Sequence, residues 1–181
     1  MGLGRARGYV VARDDGPLYP SASFPGTHMT TAEVLAFMRT QKLAVEASVS
    51  AARAAQAAVV GIAVTDALEI VFDTLDSTRK VANLRGNPRL AFVIGGATFG
   101  DERTVQYEGM ADEPKGAERD RIVSAYYRAW PDGPSRASWP GLTYVRVRPM
   151  WIRYSDFNQS PPLVVEFDER QLAGASAPLR R

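Results

Sequence analysis

The 181-residue sequence has no cysteine and a single histidine. Without cysteine, disulfides, thiolate zinc sites, iron–sulfur clusters and a cysteine nucleophile are all excluded. Redox chemistry, if the protein performs any, has to come from a bound organic group. A serine triad or a multi-histidine metal site would depend on His28 alone, which stands among Ser, Pro, Gly and Thr and reads as a solvated loop residue. Long apolar runs are missing too, since none approaches the roughly 18 residues that span a bilayer. The N-terminus lacks the apolar segment of a secretory signal. With the absent cysteines, this makes the cytoplasm the expected location. Charge of one sign is also lacking: 22 Lys and Arg face 20 Asp and Glu, for a net charge of +2. The basic residues are interleaved with acids rather than gathered in a stripe, so neither nucleic acid nor a membrane is the expected partner.

What is present suits one soluble domain, with 45% hydrophobic and 23% charged residues. Residues 1–28 are rich in Gly, Pro, Ser and Arg, follow neither a helical nor a strand period, and read as a disordered arm. Thr30 or Thr31 then caps a helix through Glu33, Leu35, Phe37 and Met38. From there the pattern is mainly β. Strands are predicted over 43–49, with apolar residues alternating at Leu43, Val45, Ala47 and Val49, and over 58–64 and 68–74, the last two joined by a tight hairpin at 65–67. A short helix over 78–85 ends at Gly86-Asn87-Pro88. Strands over 89–94 and 103–111 flank a glycine-containing loop, and a helix over 114–130 carries Ile122, Ala125 and Tyr126 on one face. A Pro/Gly/Ser loop (131–141) leads to a long strand over 142–154 interrupted by Pro149, and a last edge strand covers 161–167. The tail, 168–181, reads as flexible. Strands and helices do not alternate, so the class is mainly β (α+β), a closed or partly closed antiparallel barrel in residues 29–167.

Chemistry concentrates in Thr74-Leu75-Asp76-Ser77-Thr78-Arg79-Lys80, where a strand ends and a helix opens. A helix start offers backbone N–H groups and a positive dipole end. The hydroxyls of Ser77 and Thr78 and the cations of Arg79 and Lys80 would complete a phosphate cradle. By residue type alone the same turn could be a capped helix start with two solvated cations. The Gly-rich loops of nucleoside triphosphate and dinucleotide sites are absent. Arg146, Arg148 and Arg153 are read as solvated or paired with acids. Trp130, Trp139 and Trp151 are read as packing residues. No pairing can be inferred for Glu46, Glu69 and Glu108, and no acid–base couple is defined.

The run FDTLDSTRKVANLRGNPRLAFVIG resembles the strand–turn–helix–strand of the pyridoxamine 5′-phosphate oxidase-like family. ERTVQYEGMADEP and RVRPMWIRYSDF resemble two later barrel strands of the same family, and the order is kept over roughly residues 30–167. The resemblance implies a six-stranded antiparallel split barrel with Greek-key topology and short flanking helices. It implies a homodimer with FMN bound in clefts at the interface. Carried over, Thr74 and Thr78 would lie near the phosphate or ribityl chain, and Ser77, Arg79 and Lys80 would hold the phosphate. Thr104 or Gln106 would approach the ring, and residues 155–157 would lie near the partner's flavin. Authentic oxidases of this family carry an Arg and a Lys on the strand where this chain has Ala58 and Ala63, and an Arg-x-His element near the C-terminus that it lacks. Haem-degrading relatives use a core histidine that is also missing. The expected function is therefore a flavin-dependent oxidoreductase acting on an unidentified small molecule. The alternatives are an F420-dependent reductase on the same barrel and a flavin-binding module without turnover.

Overall fold

The computed structural model describes residues 29–175. The expected N-terminal arm with His28, and the tail from residue 176, lie outside the described residues. Helix α1 (Thr31–Thr40) begins at a capping box: the Thr30 hydroxyl accepts the Glu33 N–H at 3.2 Å, and the Glu33 carboxylate accepts the Thr30 N–H at 2.7 Å. Its Val34, Phe37 and Met38 are buried in the main core.

Strands β1 (Leu43–Val49), β2 (Ala55–Gly61), β3 (Ala63–Val64) and β4 (Ile70–Leu75) lead into helix α2 (Arg79–Gly86). Strands β5 (Arg89–Gly95) and β6 (Arg103–Asp112) come next, then helix α3 (Gly116–Ala129) and a 3-10 turn at Gly133–Arg136. Strands β7 (Leu142–Asp156) and β8 (Leu163–Phe167) and helix α4 (Glu169–Ala175) complete the chain. All pairings are antiparallel, in the order β2-β1-β5-β6-β7-β4-β3, with β8 added beside β7. The two ends of that order, β2 and β3, are successive pieces of one run broken at Ile62. The sheet thus curls back on itself as a split β-barrel. Its centre is filled by Phe72, Phe92 and Tyr107, packed edge to face at 6.1 and 5.9 Å between centroids.

Three expectations are corrected. The strand expected over 58–64 starts at Ala55 and breaks at Ile62, whose N–H turns to the Lys42 carbonyl at 3.0 Å. The long strand is not cut at Pro149: β7 passes it by a register shift that leaves Met150 unmatched between the pairs Gly109–Pro149 and Glu108–Trp151. The tail is not featureless either. Asp168 and Gln171 cap α4 reciprocally, with both bonds at 2.9 Å, and Leu172 is buried in the core.

The phase of β1 matters most for function. Its alternation puts Ala44, Glu46 and Ser48 inside and turns Leu43, Val45, Ala47 and Val49 outward. The more apolar face of this strand therefore looks away from the core.

Candidate functional site

The turn between β4 and α2 is held from outside the segment itself. Asp73, one residue before Thr74, accepts the Tyr126 hydroxyl at 2.8 Å and the Arg136 guanidinium at 3.1 Å, which ties α3 and the 3-10 turn to the end of β4. Asp76 donates its N–H to the Gly141 carbonyl at 2.8 Å. Gly141 has φ +75°, and a Cβ there would stand 2.6 Å from the Asp76 carboxylate. Only glycine meets both demands without strain. The Thr78 N–H closes the turn on the Leu75 carbonyl at 3.0 Å.

On this support, Thr74 and Thr78 come together with their hydroxyls 3.3 Å apart. Thr78 is the N-cap of α2, yet its side chain makes no capping hydrogen bond, and the first helical turn holds no acidic residue. The N–H groups of that turn have no partner within the helix. Arg79 and Ser77 are exposed and Lys80 is half-buried. Hydroxyls, backbone donors and two cations therefore gather at the positive end of a helix, the chemistry that receives a phosphate. Five of the seven residues singled out from the sequence stand around this one turn.

Thr104 and Gln106 do not join it. Thr74 pairs with Thr143 near the start of β7, whereas Thr104 and Gln106 pair with Ser155 and Arg153 near its end. Thr143 and Ser155 are twelve positions apart, or about 40 Å of strand contour at roughly 3.3 Å per residue. Within one chain, the phosphate and ring candidates occupy opposite ends of β7. Thr104 and Gln106 thus pair along the far end of β7 from the β4–α2 turn.

Beneath α2 the barrel wall is polar. The Asn83 amide donates to the Ser48 hydroxyl at 3.2 Å and to the Gln56 side-chain carbonyl at 3.1 Å. Beside Ser48, Glu46 is 1% exposed, and its Oε1 has no hydrogen-bond partner. Burial raises the Glu46 pKa above the ordinary carboxylate range, while the Ser48 hydroxyl and the Lys80 ammonium pull it down. Glu46, Asp73, Asn83, Tyr126, Arg136 and Gly141 were not identified from the sequence as parts of this site. The one signal for Glu46 was its phase: it alternates with Ala44 and Ser48, not with the valines. The arginines of β7 behave as read, with Arg146 paired to Asp112 at 2.6 Å and to Glu118 at 2.8 Å.

The fold is a split β-barrel, and the candidate site is the turn that opens α2. The chain belongs to the pyridoxamine 5′-phosphate oxidase family, whose profile matches residues 30–156. Solved structures share the fold at low identity. A heme binding protein from Mycobacterium smegmatis is similar with a TM-score of 0.69 and 16% identity, over 82% of this chain and 62% of its own. This chain therefore spans less than two thirds of that protein. A putative pyridoxamine 5′-phosphate oxidase from Listeria innocua is similar with a TM-score of 0.55 and 20% identity, over 68% of this chain and 95% of its own. A pyridoxamine 5′-phosphate oxidase-related, FMN binding protein from Nostoc punctiforme gives 0.57 and 12%, over 77% and 90%. No curated protein sequence matches the chain.

Proposed function

We propose that this protein binds a flavin through its phosphate, with FMN the first reading, and serves as a flavin-dependent oxidoreductase on a small molecule. One observation carries this: the Thr74–Thr78 hydroxyl pair stands with Arg79 and Lys80 at a helix start that no side chain caps. A bound flavin supplies the hydride chemistry, so no nucleophile is asked of the protein. The chain's own residues would anchor the phosphate and orient the ring. The chain holds no cysteine and one histidine, His28, so an imidazole or thiolate ligand to haem iron would have to be that residue. Authentic pyridoxamine phosphate oxidase activity is disfavoured, because Ala58 and Ala63 supply no cations for a substrate phosphate.

The same reading makes the protein a homodimer. Val59, Val45 and Val93 are direct cross-strand neighbours on the outer face of β2, β1 and β5, exposed by 65%, 41% and 47%. Gln106 continues their row on β6. An exposed apolar row of this kind suits a second copy. Two copies joined there would let one chain's cradle work with the other chain's Thr104 and Gln106. The cytoplasm remains the proposed location.

The deciding experiment is titration of FMN into wild type and Arg79→Ala/Lys80→Ala. Each charged hydrogen bond contributes about 1.5–3 kcal/mol, so the double variant should bind at least about 100-fold more weakly. Unchanged affinity would remove the cradle from the site. Stoichiometric flavin without turnover on nicotinamide donors would identify a binding module. The absorbance of the purified protein separates FMN from the alternative reading, the deazaflavin F420 on the same barrel.

A further inference from the structure

The C-terminal ends of α1 and α3 both lie against β3. Arg39, in the last turn of α1, donates from Nε to the Val64 carbonyl at 3.1 Å and from its terminal nitrogen to the Asp66 carboxylate at 2.6 Å. Lys42, just past α1, donates to the carbonyl of Ala129, the last residue of α3, at 2.6 Å. Its ammonium also lies 5.6 Å from the centre of the Trp130 ring, whose indole N–H is held by the Ile62 carbonyl at 3.0 Å. Between the two helix ends opens a groove of about 560 Å³. Arg39, Lys42, Asp66 and Arg128 form its rim, and the buried Ile62, Val64 and Ala125 form its floor. Small-molecule sites span roughly 300–1,000 Å³ and combine an apolar lining with a few placed polar groups.

The charge of this rim is unusual for the chain. Arg85, Arg103, Arg121, Arg136 and Arg146 each sit beside a carboxylate. Lys42 and Arg128 have no carboxylate at ion-pair distance among the described residues. Three cations against Asp66 leave two positive charges in the groove. Each helix C-terminus carries roughly half a negative charge, and two of them end here, so the surplus is about one. Lys42 relieves the end of α3 by bonding its last carbonyl, which leaves the ammonium two further donors. Arg128 makes no hydrogen bond to a described residue, and its planar fork matches a carboxylate. A neutral ligand would leave the surplus unmet, and a dianion would exceed it. We propose that this groove is a second binding site, for a small monocarboxylate whose apolar body rests on Ile62, Val64 and Ala125 and whose carboxylate meets Lys42 and Arg128. It is distinct from the β4–α2 turn. Ala63 and Val64 pair with Val71 and Ile70 at the start of β4, whereas Thr74 stands near its other end.

The test titrates benzoate, its neutral isostere benzamide and the dianion phthalate into the full chain by calorimetry at about neutral pH. Wild type should bind benzoate at least about ten-fold more tightly than benzamide, and at least as tightly as phthalate. Arg128→Gln should weaken benzoate by about ten-fold or more and leave benzamide unchanged. The side chain is exposed and bonds no described residue, so this variant should fold, and the wild-type ratio needs no variant at all. Arg79→Ala/Lys80→Ala, which removes the cations of the β4–α2 turn, should bind benzoate as wild type does. The site is overturned if benzoate binds without saturation, if benzamide binds equally well, or if Arg128→Gln holds benzoate as tightly as wild type. Loss of benzoate in Arg79→Ala/Lys80→Ala would also overturn it, by moving the carboxylate to the other turn. Phthalate binding ten-fold more tightly than benzoate would overturn the choice of a single charge.

Discussion

Burial raises the pKa of Glu46, so the folded chain holds that proton more tightly than the unfolded chain does. For such a group the contribution to stability is fully present below the unfolded pKa and is lost as pH rises through the folded value. Glutamine carries no charge to bury. Glu46→Gln should therefore melt close to wild type near pH 4 and at a higher temperature at neutral pH, the gap opening in between. Thermal melts followed by circular dichroism across that range check this, and a gap that does not vary with pH would show that the carboxyl ionises without cost. Gly141 acts differently, through backbone. Alanine there keeps a left-handed φ at a cost of roughly 1–2 kcal/mol and pushes on Asp76. The expected outcome for Gly141→Ala is a melting temperature lower by a few degrees, at about 2–4 °C per kcal/mol for a chain of this size, together with weaker FMN binding.

Among the elements, α4 is where a local signal was present and went unread. The run Asp168-Glu169-Arg170-Gln171 has capping-box spacing, and both reciprocal bonds form. Composition alone pointed to a flexible tail because Gly, Ala and Pro follow. Leu172→Ala should cost about 2 kcal/mol, the low end for a buried leucine because a terminal helix can shift to fill the space. Urea denaturation measures it, and a loss within error would mean that α4 does not pack. Most other elements were legible from period and punctuation: β1 keeps its predicted bounds, and α2 starts at Arg79, one residue after its predicted start. The turn's residue types were legible too, since strand end, hydroxyls and cations are contiguous. What holds the turn was not. Asp73 adjoins the turn, but Tyr126, Arg136 and Gly141 come from α3, the 3-10 turn and the loop before β7, and only the folded barrel brings them to it. Glu46 escaped for another reason. The apolar residues of β1 set the expected phase of the strand, but here they face outward.

That inversion has its consequence at the scale of the whole molecule. A strand that exposes valine and buries glutamate is poorly suited to a lone barrel, and the valine row has an alanine row, Ala57, Ala47 and Ala91, directly beside it. Small and β-branched side chains in register make a surface that a symmetric copy can cover closely. Pairing through it would also resolve the separation along β7, because a neighbouring chain's Gln106 would lie in the same face as the joint. Dimerisation and flavin binding would then be one linked equilibrium, with apparent flavin affinity rising with protein concentration. Val59→Asp isolates this. At 65% exposure the side chain adds little to the single chain's core, so the variant should fold with a near-normal melting temperature. Facing a copy of itself, however, the carboxylate would be desolvated at the joint. Sedimentation should find wild type as a dimer and Val59→Asp as a monomer, and FMN titration of the monomer should show affinity reduced by about ten-fold or more. A monomeric variant that binds FMN as well as wild type would place the whole flavin site within one chain. A dimer that survives the substitution would move the joint to another face.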